Sequence, residues 1–135
     1  MKRIFLAIVF ALTCALSYSQ TISDEQILVL LNQSAVTMNT TCPRMIDDIT
    51  RLEFTKVYPP KTIDYNYTLL APKSNFTDLQ ISEIKSKMEV SLIQNIRINS
   101  AMGILRDNNV TFIYTYKDMN GVSFFSVIIY PYQYK

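Results

Sequence analysis

Three stretches of this chain alternate apolar and polar residues at a period of two, "RLEFTKVY" (51–58), "IDYNYTLL" (63–70) and "VTFIYTYK" (110–117), and a fourth, "VSFFSVIIY" (122–130), is apolar almost throughout. A period of two puts successive side chains on opposite faces of a strand, so these stretches belong in a sheet with a core side. The first two are joined by "PPKT" and the last two by "DMNG", so they read as two hairpins. Asn120-Gly121 tolerates the positive backbone angles that a type I′ turn requires. Helical period precedes each hairpin. Ser23 and Gln26 have capping-box spacing ahead of Ile27, Leu30, Leu31, Ser34, Ala35 and Met38, which predicts a helix over 24–39. Thr77 and Gln80 repeat that spacing ahead of Ile81, Ile84, Met88, Leu92 and Ile96, which predicts a helix over 78–97, with a short helical turn within "NSAMGILRDNN". The expected fold is α+β and two-layer: an antiparallel sheet of about four strands against two main helices, in the order α-β-β-α-β-β.

The amino terminus, "MKRIFLAIVFALTCALSYSQ", has two basic residues, an apolar run and then small polar residues, the order of a secretory signal peptide over 1–19. Its apolar run, Ile4 to Leu16, is shorter than the roughly 20 residues that span a bilayer, so no permanent membrane span is expected after cleavage. Cys14 raises lipid attachment as the rival, but Thr13 fits a lipobox poorly. Residues 20–135 then form one α+β domain, periplasmic or secreted. Lys2 and Arg3 leave with the signal, and 11 basic side chains remain against 11 acidic ones. A neutral chain lacks the basic excess that displaces counterions from phosphates, which argues against nucleic acid as a partner.

The chain has no histidine, so the usual proton acceptor of serine and cysteine nucleophiles and the commonest zinc ligand are both missing. No catalytic, cofactor-binding or metal residue is assigned. The adjacent Asp47 and Asp48 diverge on either a helix or a strand. A distant carboxylate pair such as Asp64 and Asp118 is the remaining acid-base arrangement, and solvated turn or strand residues are the plainer account. Only Gly103 and Gly121 are glycines, too few for a phosphate-cradling loop. Cys42, in "NTTCPRM", is the one candidate for a reactive thiol, with Arg44 and Arg51 near in sequence. The alternative reading is a small apolar side chain packed where the first helix turns toward the first strand.

Tyr65, Tyr67, Tyr114 and Tyr116 occupy alternate strand positions, as a partner-recognising face or as a cross-strand aromatic ladder. In the fourth strand both alternating sets are apolar, so one set needs cover from outside the helix layer. The expected contact surface is Phe125, Val127 and Ile129, extended by Tyr132 and Tyr134 of the tail "YPYQYK". It would serve a protein partner or self-association. Five Asn-x-Ser/Thr triplets, at Asn32, Asn39, Asn66, Asn75 and Asn109, read as chance in a chain rich in these residues, with Asn75 and Asn109 the better placed for modification.

"CPRMIDDITRL", "IDYNYTLL" and "LRDNNVTFIYTYKDMNG" resemble a group of short exported bacterial proteins of unknown function. They share a Cys-Pro, Thr-Arg-Leu, Tyr-x-Tyr-Thr-Leu and Val-Thr-Phe-x-Tyr-x-Tyr pattern. The resemblance covers about residues 40 to 130 and implies an envelope location, without an activity or cofactor. The layout is also similar to small periplasmic inhibitor and assembly-factor domains. The expected function is a non-catalytic protein-binding module, inhibitor or immunity-type. The alternatives are a structural component of an envelope assembly, or a small enzyme built on Cys42 or carboxylates.

Overall fold

The computed structural model describes residues 22–135, and the expected signal peptide over 1–19, with Cys14, lies outside the described residues. The order is α1 (Asp24–Asn39), β1 (Arg44–Met45), β2 (Thr50–Tyr58), β3 (Thr62–Leu69), α2 (Asp78–Ile98), α3 (Gly103–Asp107), β4 (Thr111–Asp118), β5 (Ser123–Ile129) and α4 (Pro131–Tyr134). Both capping boxes form: Ser23 and Gln26 satisfy each other's backbone at the start of α1, and Thr77 and Gln80 do so at α2. Arg106 donates to the carbonyls of Ile96 (2.8 Å) and Asn99 (2.5 Å), placing a cation at the carbonyl end of α2. Among the described residues no helix is long and apolar enough to cross a membrane.

The sheet has five strands in the order β1-β2-β3-β4-β5. Two features depart from the expected four-stranded antiparallel arrangement. A two-residue strand, β1, pairs with β2 at the edge. The two hairpins join in parallel, with Tyr65 opposite Tyr114 and Tyr67 opposite Tyr116. The length of the second helix accounts for this. Its 21 residues reach about 31 Å at 1.5 Å per residue, enough to carry the chain back along strands of eight residues, about 26 Å long. β4 therefore starts at the end where β3 started.

Two bulges decide which side chains face the core. In β2 the register shifts between Leu52 and Phe54, so Leu52 and Thr55 are buried while Phe54 is exposed under Lys56, whose ammonium lies 5.5 Å from the ring centroid. The regular alternation expected for "RLEFTKVY" is thus reversed halfway along, because an extra residue flips strand parity. In β5 a shift between Tyr116 and Lys117 of β4 leaves Phe124 as the extra residue, buried beside Phe125 and edge-on to Phe76 at 5.3 Å. The core rows run Leu52–Tyr67–Tyr116–Phe125, Thr55–Tyr65–Tyr114–Val127 and Val57–Ile63–Phe112–Ile129. Ile27, Leu31 and Ile96 of the helices close over them.

These rows correct the expected contact surface. Phe125, Val127, Ile129 and Tyr134 are at most 7% exposed and belong to the chain's own core. The set left outside is Ser126 and Ile128, a weaker apolar surface than the sequence suggests. The tail does not extend the strand. Pro131 opens the short helix α4, which folds back so that the Tyr134 hydroxyl donates to the Val110 carbonyl (2.9 Å) and its ring meets Phe112 edge-on. Only Tyr132 of the five is exposed, stacked on Tyr130. The "DMNG" turn also differs from expectation. Gly121 alone has positive φ, and its N–H bonds to the Asp118 carbonyl (3.0 Å) ahead of an Asp118–Val122 backbone bond. This is the three-residue loop with a glycine bulge, not type I′.

Candidate binding groove

α1 packs over β2 and α2 over β5, each lying above an outer strand. Three strand spacings, about 14 Å, separate β2 from β5, whereas helices in contact sit about 8–10 Å apart. The two helices therefore cover separate outer strands, and Tyr65, Tyr114 and Tyr116 on the core face between them are at most 7% exposed. On the α1 side, Leu30, Ser34, Thr37, Met38, Thr41 and Arg44 line a recess of about 490 Å³. On the α2 side, Ile84, Met88 and Leu92 pack on the core yet stay half-buried.

Between the helices, the core face of β3 and β4 carries the tyrosine ladder. Tyr65 stacks on Tyr114 at 5.2 Å and Tyr67 on Tyr116 at 4.9 Å, because the parallel register sets the two Tyr-x-Tyr runs side by side. Among the described residues none of the four hydroxyls has a hydrogen-bond partner, and none is sealed from solvent. Hydroxyls without a protein partner are ordinarily left to water. Burial pushes the Tyr65 phenol up to about 12, with Tyr67 adding to the effect. Burial likewise raises Tyr67 to about 12, with Arg44 opposing. Tyr114 and Tyr116 are raised further, burial again leading. All four remain neutral near pH 7, each able to donate and accept.

The other candidates fall elsewhere. Cys42 is half-buried at the exit of α1, packs on the core and donates its thiol hydrogen to the Met38 carbonyl (3.4 Å), the joint between helix and strand. Asp64 and Asp118 do not converge: Asp64 is level with Ile113 of β4, five residues from Asp118, and an odd separation places them on opposite faces. Asp64 accepts from the Thr115 hydroxyl (2.9 Å). Asp118 accepts backbone N–H bonds from Lys73, Asn120 and Val122, each 2.8 Å, and the Lys73 bond leads in holding its carboxyl below the ordinary range. Asp47 is held low in the same way by the N–H groups of Ile49 and Thr50. Asn39 is committed to the backbone of Thr55, while Asn75 and Asn109 are exposed. Sequence reasoning saw the tyrosines as a ladder but missed the recess on the α1 side, whose lining comes from α1 together with Thr41 and Arg44.

Residues 30–124 match the domain family described as Domain of unknown function (DUF8479). No curated protein matches the sequence. Three solved structures share the fold. A Pseudomonas aeruginosa protein inferred to be secreted aligns with a TM-score of 0.66 at 11% identity, covering 85% of this chain and 99% of its own. The type 2 secretion system pilotin EpsS of Vibrio vulnificus aligns at 0.65 and 5% identity, over 83% and 96% of the two chains. The type II secretion system pilotin AspS of Vibrio cholerae aligns at 0.60 and 9% identity, over 82% and 94%.

Proposed function

We propose that this chain, which belongs to the family described as Domain of unknown function (DUF8479), is an exported, non-catalytic assembly factor of the bacterial envelope that holds a segment of a protein partner between α1 and α2. The observation that carries this reading is the row of four tyrosines with largely buried rings and hydroxyls that no group of the described chain engages. Rigid aromatic rings with polar tips, flanked by half-buried aliphatic side chains, supply contact area at little entropic cost and leave hydrogen bonds for a partner to complete. Two of the solved structures with this fold are pilotins of secretion systems, which supports assembly over the inhibitor or immunity-type reading.

Position-specific crosslinking tests the proposal. A photo-reactive residue at Ser34, on the wall of the recess, is expected to give one discrete protein adduct in the native host. The same residue at Thr62, on the opposite sheet face, is expected to give none. Adducts of equal strength from both positions, or none from Ser34, would sink the reading.

A further inference from the structure

Two arginines meet in a second recess, of about 310 Å³, lined by Arg97, Arg106, Asp107, Tyr134 and Lys135 at the end of α2. It shares no lining residue with the recess beside α1. Backbone carbonyls hold both guanidinium groups. Arg106 uses a single nitrogen, Nη1, to reach the carbonyls of Ile96 and Asn99, which leaves its Nε–Nη2 edge without a partner among the described residues. Arg97 donates from Nη2 to the Gln133 carbonyl (2.9 Å), which leaves its Nε and Nη1 without one. The ion pairs among the described residues are Arg51–Glu53 and Lys61–Asp24. No carboxylate of these residues, Asp107 included, therefore lies within ion-pair distance of either arginine.

We propose that this recess binds a phosphate group, with the Nε–Nη2 edge of Arg106 as a bidentate fork on two of its oxygens and Arg97 and Lys135 as donors to a third. A carboxylate has two oxygens and is filled by one such fork, whereas phosphate offers further oxygens to further cations. Both arginines are anchored before the ligand arrives, so little side-chain freedom is lost on binding. A free phosphate ion and a phospholipid headgroup present the same oxygens. Ile98 beside Arg97 and Tyr132 beside Gln133 are 70% and 78% exposed. Apolar and aromatic side chains next to cations are what a lipid interface accommodates, which favours the headgroup as the source.

Calorimetric titration of the exported protein with inorganic phosphate, at constant ionic strength in chloride, and flotation with phosphatidylglycerol vesicles test the site. The expected result is saturable binding of at least one probe, weakened at least tenfold in Arg97→Gln and in Arg106→Gln. Arg51→Gln removes the same charge from β2 and is expected to leave binding unchanged. Acetate is expected to bind at least tenfold more weakly than phosphate. Thermal melts show that each variant folds, and Arg97→Gln, at an exposed side chain, serves if Arg106→Gln does not. Loss of phosphate binding alone assigns the site to the free ion, and loss of vesicle binding alone assigns it to the headgroup. The proposal is overturned if neither probe binds, if the recess variants bind as the native protein does, or if Arg51→Gln weakens binding equally. Acetate bound as tightly as phosphate also overturns it.

Discussion

Replacing Ile129 and Ile128 separately with alanine turns the face assignment of β5 into a measurement, because the two residues are adjacent and chemically identical. Ile129 is fully buried in the row with Val57, Ile63 and Phe112, whereas Ile128 is 42% exposed. Ile129→Ala removes three buried carbons, about 2.4 kcal/mol of transfer free energy at about 0.8 per methylene. The space left among Ile63 and Phe112 adds to this, for a total of about 3–4 kcal/mol, within the usual range for such truncations. For a chain of this size a loss of 1 kcal/mol lowers Tm by about 4 °C, so the expected drop is about 12–16 °C. Ile128→Ala gives up only partial burial and leaves no enclosed cavity, so it is expected to cost about 1 kcal/mol or less. Urea and thermal denaturation followed by circular dichroism, at low micromolar concentration to keep association out of the comparison, give both values. Equal losses, or a larger loss for Ile128→Ala, would mean that β5 presents the other face to the helices, and the bulge at Phe124 would be misplaced.

Asp118 holds the "DMNG" turn and the start of the Lys73 segment through three backbone N–H bonds, which keep its carboxyl below the ordinary carboxylate range. A depressed folded-state pKa contributes stability that is present above the unfolded value and lost as pH falls through the folded one. Asp118→Asn is therefore expected to flatten the acid limb of a stability–pH curve below about pH 4, and an unchanged acid limb would refute the assignment. The ladder behaves in the opposite sense: phenols raised by burial stabilise the fold below their unfolded pKa, near 10, and that contribution fades as pH climbs toward about 12. Absorbance titration at 295 nm, repeated on Tyr65→Phe and Tyr67→Phe, is expected to remove one late-ionising tyrosine each time. Cys42 is expected to react slowly with a thiol reagent in the folded protein, and Cys42→Ser to cost about 1–3 kcal/mol by placing a hydroxyl in an apolar joint; rapid labelling at neutral pH would reopen the reactive reading.

What the amino-acid order determined by itself is local. The capping boxes at Ser23 and Thr77 set the starts of α1 and α2 at the expected residues, since they need only four consecutive side chains and their own backbone. The same holds for the existence of three of the four main strands, which rests on period-two patterning. Partner choice and parity were decided only in three dimensions. The patterns of β3 and β4 are alike in either direction, and their parallel join follows from how far α2 carries the chain. Both alternating sets of β5 are apolar, so its hydrophobic pattern names no inner face, and the extra residue at Phe124 together with α2 makes the choice. The ladder is likewise absent from any one segment: it joins tyrosines 49 positions apart by strand pairing, between helices that cover the strands on either side. Local order is written in neighbouring residues, while a site built from facing surfaces exists only once those surfaces have packed.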